Sequence, residues 1–202
     1  VAWLPYASGA TIDATGAVTN VMVRVSRSGG SYGCTGTGYT TIATWPVAAV
    51  PVAPSLASAT PGNGSTVCAG YDLGTVTGTA GSGGSAGAAD EYQVSIDGGT
   101  NYNPYISGNT ITTTGATGNI IVQARRTGGS YGCSATGWNT ICTWTLGLPT
   151  VNPSLNVATP ASGTAICEGF NGPSATITPG SGGSTGATDL YEYSINDGSG
   201  WS

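Results

Sequence analysis

The hexapeptide Gly29-Gly30-Ser31-Tyr32-Gly33-Cys34 returns unchanged as Gly128-Gly129-Ser130-Tyr131-Gly132-Cys133, 99 residues later. Sliding the whole chain by 99 lays residues 1–103 on residues 100–202 without a gap, and 48 of those 103 pairs are identical. A gapless register of that length means that one structural unit is used repeatedly along the chain. A 99-residue unit is the size of a small domain.

Within the unit, apolar residues recur at period two. Val21, Val23 and Val25 alternate with Met22, Arg24 and Ser26. Tyr92, Val94 and Ile96 alternate with Gln93 and Ser95, and the run ends in the hairpin-type turn Asp97-Gly98-Gly99. Further strands are expected near 55–60, 74–80, 102–106, 109–113, 119–126 and 138–146. No helical periodicity appears, and Gly- or Pro-rich turns return every few residues. The expectation is an all-β chain of tandem immunoglobulin-like antiparallel β-sandwich domains.

Pro46, Pro51 and Pro54 mark the best linker, because proline cannot donate to a sheet ladder. Residues 1–50 then read as the C-terminal half of a unit, 54–152 as one complete unit, and 153–202 as the N-terminal half of the next. The chain begins and ends at one phase of the repeat and reads as an excerpt of a longer array. The terminal halves are expected to pack on their equivalents in adjacent copies or to stay open-faced.

Net charge is −5, with four Arg and no Lys or His. Nucleic acid is therefore not expected as a partner, since phosphate binding needs clustered cations. No apolar run reaches 18 residues, so no membrane span is expected. Without His or Lys, acid–base and Schiff-base chemistry falls to nine carboxylates, most of them in turns. No enzyme activity and no cofactor is expected. Absence of Lys also excludes isopeptide cross-links. Asp90, Glu91 and Asp97 do not follow a calcium-loop spacing and read as turn residues.

Cys34 matches Cys133 and Cys68 matches Cys167 at the repeat offset. Two cysteine phases without His or a CxxC pair read as disulfides in an oxidising compartment. Two pairings stay open: Cys68–Cys133 within a unit, or a bridge between these phases in neighbouring domains or chains. Cys142 matches Ala43 and is expected to be a free, buried thiol. Trp45 and Trp144 share parity with Val47 and Leu146 and are expected in the core.

Val67-Cys68-Ala69-Gly70, Gly81-Ser82-Gly83-Gly84-Ser85, the Tyr92 strand with its turn, Thr112-Thr113-Thr114-Gly115, Gln123-Ala124-Arg125-Arg126 and Gly132-Cys133 make a further pattern. In these features the chain resembles the tandem immunoglobulin-like repeats of very large secreted surface proteins of Bacteroidota. The resemblance implies an extracellular or cell-surface place, export by the type IX pathway, and a role in adhesion or extracellular filaments.

Two functions are weighed. The first is a structural segment of a surface fibre, filament or adhesin stalk whose partners are other copies of the same protein. The second is a glycan-binding adhesion module using Trp3, Tyr102 and Trp201, which share one phase, and Tyr39 and Trp138, which share another. Aromatic platforms stack on sugars, but they also pack between subunits.

One ion pair is expected inside the complete unit. Arg126 ends a strand on the core parity of Ile120, Val122 and Ala124. Asp90 begins the neighbouring antiparallel strand on its own core parity. An inward arginine at the rim needs a partner, and its planar fork suits a carboxylate. Asp90 is the expected acceptor, with Glu91 as the fallback. Arg27 and Asp189, the same phases in the terminal halves, are expected to find partners in another copy or to stand in solvent.

Overall fold

The computed structural model describes residues 3–195 of the chain. Among them the fold is all-β, with no helix. Residues 1–50 form one compact unit and residues 51–202 a second.

The first unit is a single antiparallel pair, β1 (Asn20–Val25) and β2 (Thr40–Pro46), with a register shift between Val23 and Arg24. Only Val23 is buried among its described residues. Trp45, expected in a core, is 51% exposed. This corrects the sequence reading, and the reason is simple: a sandwich strand buries its inner face against a second sheet, and the described residues of this unit form no second sheet.

The second unit opens with β3 (Ser55–Thr60), β4 (Thr66–Val67), β5 (Gly74–Thr79), β6 (Asp90–Ser95) and β7 (Asn103–Tyr105). It continues with β8 (Thr110–Ile111), β9 (Ile120–Arg126), β10 (Asn139–Leu146), β11 (Ser154–Thr159) and β12 (Ser174–Thr178). Residues 54–152 make a two-sheet sandwich, one sheet ordered β3-β5-β8 and the other β4-β10-β9-β6-β7. Val67, Val76, Ile111, Ile120, Val122, Cys142 and Trp144 form its core. Ile120, Val122 and Ala124 all face inward, as their period-two spacing requires. Trp144 is 0% exposed, its ring pressed so close to Gly74 that a Cβ there would lie 2.7 Å from it. The indole N–H donates to the Pro61 carbonyl at 2.9 Å.

One pairing departs from an all-antiparallel sandwich. β4 lies parallel to β10, with Thr66 opposite Thr145 and Val67 opposite Leu146. Two residues are too few to carry a period, so no alternation in the sequence marks this strand.

The sandwich has two poles. At the first lie the start of β6, the end of β9, the start of β10, and the loops 81–89 and 127–138. At the second lie the end of β10, Cys68, and the turn at 97–99, where Gly98 N donates to Asn119 O at 3.0 Å. β10 runs from one pole to the other, its eight residues spanning about 24 Å.

Strands β11 and β12 repeat the pairing of β3 and β5. Register shifts fall between Leu155 and Val157 and, 99 residues earlier, between Leu56 and Ser58. Beyond them, Asp189–Ser194 forms no strand, although the matching stretch of the complete repeat is β6.

Candidate functional site

The first pole is closed by an ion pair. Asp90 and Arg126 are direct cross-strand partners on β6 and β9. Arg126 Nη1 lies 2.8 Å from Asp90 Oδ1, and both side chains are only 17% exposed. Arg126 Nε donates to Gly83 O at 2.8 Å, and Asp90 Oδ2 accepts the Gly81 N–H at 3.0 Å. The backbone behind the arginine is fixed as well: Arg126 N donates to Thr136 Oγ1 at 2.9 Å, and Thr136 N donates to Arg126 O at 2.9 Å. A mostly buried charge pair is tolerable only when further hydrogen bonds support it, and here Arg126 Nε and both Asp90 oxygens have such partners.

Glu91, the fallback acceptor, has another partner. It faces the outer side of the sheet, where Oε2 accepts from Arg125 Nε at 2.6 Å. With side chains 36% and 43% exposed, that pair contributes little to stability.

The ion pair ties down two glycine loops that interlock. Ser85 N and Ser85 Oγ both donate to Gly128 O at 2.9 Å. Tyr131 N donates to Ser85 Oγ at 3.0 Å, and Ser130 N donates to Ala86 O at 2.9 Å. Two glycines of the hexapeptide sit where no side chain fits, Gly128 within its own loop and Gly129 against the other. A Cβ on Gly128 would fall 1.7 Å from the Cys133 carbonyl oxygen, and one on Gly129, at φ +83°, 2.5 Å from Ser85 O. In the first unit the loop has the same internal shape: a Cβ on Gly29 would fall 1.6 Å from Cys34 O.

The second pole joins the complete repeat to the following half-repeat. Thr185 N donates to Thr66 O at 3.0 Å, and Thr66 N donates to Thr185 Oγ1 at 2.7 Å. Gly183 N donates to Leu148 O at 2.9 Å. Thr185 belongs to the loop whose equivalent, 81–86, lies at the first pole of the complete repeat. Second pole therefore meets first pole.

Each cysteine is a free thiol. Cys68 and Cys133 lie at opposite poles, separated by the length of β10, which places a bridge between them far outside disulfide reach. Cys34 and Cys167 are exposed, Cys142 is buried, and burial pushes its thiol up to about 11.

The aromatic candidates are divided between the units, and guanidinium groups cover three of their faces. Arg24 lies 3.9 Å from the Trp3 ring centroid and 4.2 Å from that of Tyr39. Arg125 lies 4.6 Å from that of Trp138. Tyr102 packs its hydroxyl against the Gly99 turn. Trp201 lies outside the described residues.

Asp97, expected as a turn residue, has four hydrogen-bond donors on its carboxylate. Asp97 accepts from the backbone of Asn101 at 3.0 Å, from Ser95 Oγ at 2.7 Å and from Asn101 Nδ2 at 2.7 Å. These bonds, with one from the Thr100 N–H, hold it at about 2, below its ordinary 3.8. The signal was present as Ser-x-Asp-Gly-Gly-x-Asn, a turn with a side-chain cap at each end. Buried Ser95 serves that turn: its hydroxyl also accepts the Gly99 N–H at 2.9 Å.

No group of three His, Cys, Asp or Glu side chains converges among the described residues. The first pole holds loop against loop, and the second holds the complete repeat against the following half-repeat. No family model, curated protein or solved structure matches the chain.

Proposed function

We propose that this chain is a structural segment of an extracellular or cell-surface array, a fibre, filament or adhesin stalk built from end-to-end sandwich repeats. The observation that carries the reading is the joint at the second pole, where Thr185 N and Gly183 N of the following half-repeat donate to the Thr66 and Leu148 carbonyls and Thr66 N donates to Thr185 Oγ1. Two of its three hydrogen bonds are main chain to main chain and need no particular side chain, whereas the third uses the Thr185 hydroxyl. In such an array each unit meets mainly its neighbours, so length grows by addition. Low charge and a surface rich in Gly, Ser and Thr suit a passive material.

Electron microscopy of the chain tests the reading. Rods or filaments with a regular axial repeat support it. Isolated particles with saturable sugar binding on a glycan array would overturn it in favour of the adhesion module. Arginines lie on the faces of Trp3, Tyr39 and Trp138, the faces a sugar would need, which ranks that module second.

A further inference from the structure

An asparagine followed by glycine can attack itself, because the glycine has no side chain to shield its nitrogen. That nitrogen bonds to the asparagine side-chain carbon, the bond to the amide nitrogen breaks, and ammonia leaves with the proton. The succinimide so formed is opened by water to aspartate or isoaspartate. Of the chain's asparagines, only Asn63 and Asn171 precede glycine. We propose that Asn63-Gly64 is a self-modification site that β10 holds shut in the folded repeat and that reacts when β10 lets go. The site lies within the complete repeat and does not depend on the array reading.

Both reacting groups are engaged by one residue of β10. Asn63 Oδ1 accepts the Thr143 N–H at 2.9 Å, and Gly64 N donates to Thr143 O at 2.8 Å. The dipeptide thus imitates a strand residue, an acceptor and a donor set against the donor and acceptor of Thr143. Gly64, at φ +85°, makes the turn that aims both groups at β10. Ring closure needs the Gly64 proton, which the Thr143 carbonyl holds. It also needs the Asn63 carboxamide to turn toward the Gly64 nitrogen, and the Thr143 N–H anchors it. Asn63 and Gly64 are themselves exposed. Water and hydroxide reach them, so these two bonds, and not burial, close the site.

The same stretch continues along the edge of β10. Ser65 O accepts the Thr145 N–H at 2.9 Å, and Val67, buried, anchors β4 in the core. A local opening that lifts residues 63–67 from β10 frees the Gly64 proton and the Asn63 side chain together, while the rest of the sandwich stands. Isoaspartate routes the main chain through the former side chain and lengthens it by one carbon. The Gly64 N–H then no longer falls opposite Thr143 O. Refolding does not reverse the change, so a repeat that has opened is marked and its β10 edge stays loosened. At the same phase of the following half-repeat stands Ser162-Gly163, which has no amide to lose.

Asn171-Gly172 supplies the comparison within the same molecule. It is exposed, and neither the Asn171 side chain nor the Gly172 N–H has a hydrogen bond among the described residues. The two dipeptides share their chemistry and differ in the grip of β10.

Peptide mapping by mass spectrometry tests the site. The 202-residue chain is kept warm at mildly alkaline pH, native and in urea, and amide-to-acid conversion is followed at both dipeptides. In the native chain Asn63 is expected to convert about tenfold or more slowly than Asn171, and in urea the two rates are expected to converge. Hydrogen exchange at Gly64 should be slowed alongside, since both reactions need that proton. Val67→Ala loosens β4 without touching Asn63 or Thr143, and is expected to speed Asn63 about fivefold or more while leaving Asn171 unchanged. Should that variant unfold the repeat, the parent in urea below its unfolding transition gives the reading: Asn63 conversion must rise before circular dichroism changes. Equal native rates at the two dipeptides, no conversion of Asn63 in full urea, or a rise that comes only with global unfolding would overturn the gated site.

Discussion

The Trp144 indole N–H lies 2.9 Å from the carbonyl oxygen of Pro61, a bond that spans 83 residues of sequence and joins β10 to the turn after β3. The ring itself is fully buried in the core. Trp144→Ala is expected to destabilise the complete repeat by about 3–5 kcal/mol. Trp144→Phe keeps most of the packing and leaves the Pro61 carbonyl unpartnered, at a cost of about 1–3 kcal/mol. Urea titration of the chain measures both, and the order of the two variants is the informative result.

The Arg126–Asp90 pair gives a second expectation. Arg126→Gln strands a mostly buried carboxylate and should cost about 1–3 kcal/mol. Asp90→Asn should cost a similar amount, and the double variant less than the sum, because the partners share one interaction. By contrast, Glu91→Gln on the exposed face should change stability by less than about 1 kcal/mol.

Acid should act through Asp97. Its carboxyl is held at about 2 in the folded chain against an ordinary 3.8. The folded value is the lower one, so the turn's contribution is fully present above about pH 4 and is lost as pH falls from there toward 2. Thermal melts in that interval should drop less for Asp97→Asn than for the parent, and the carboxyl carbon of Asp97 should titrate near 2 by nuclear magnetic resonance.

Thiol chemistry should separate the cysteines. Cys142, buried and shifted to about 11, should resist maleimide at neutral pH until the chain is unfolded, whereas exposed Cys34 and Cys167 should label in the native state.

The repeat made much of the fold legible before any coordinates. Ile120, Val122 and Ala124 announced their inward face by alternation, and Asp97-Gly98-Gly99 announced its turn. Two kinds of feature stayed hidden. β4 is two residues long, and its place beside β10 is a product of tertiary packing. Trp45, like Trp144, ends a Thr-Ile-x-Thr-Trp run, but burial depends on what lies opposite, and a window along one strand contains no record of the other sheet. At the first pole, parity placed Arg126 and Asp90 on facing strands. It gave no hint that Gly83 and Gly81 complete the site, because those contacts come from the path of a loop.

The parallel pair β4–β10 bears on how such a chain answers mechanical load. The complete repeat is entered at one pole, where Val52 bridges Ser82, and left at the other, beyond Gly147. Pulling on these two ends slides β10 past β4 along their common direction. Three bonds resist together: Gly64 N to Thr143 O at 2.8 Å, Thr145 N to Ser65 O at 2.9 Å, and Gly147 N to Val67 O at 2.7 Å. Loaded in shear, they must rupture at once, whereas an antiparallel hairpin pulled at its open end unzips one bond at a time. In the complete repeat, resistance to traction thus leans on a strand of two residues.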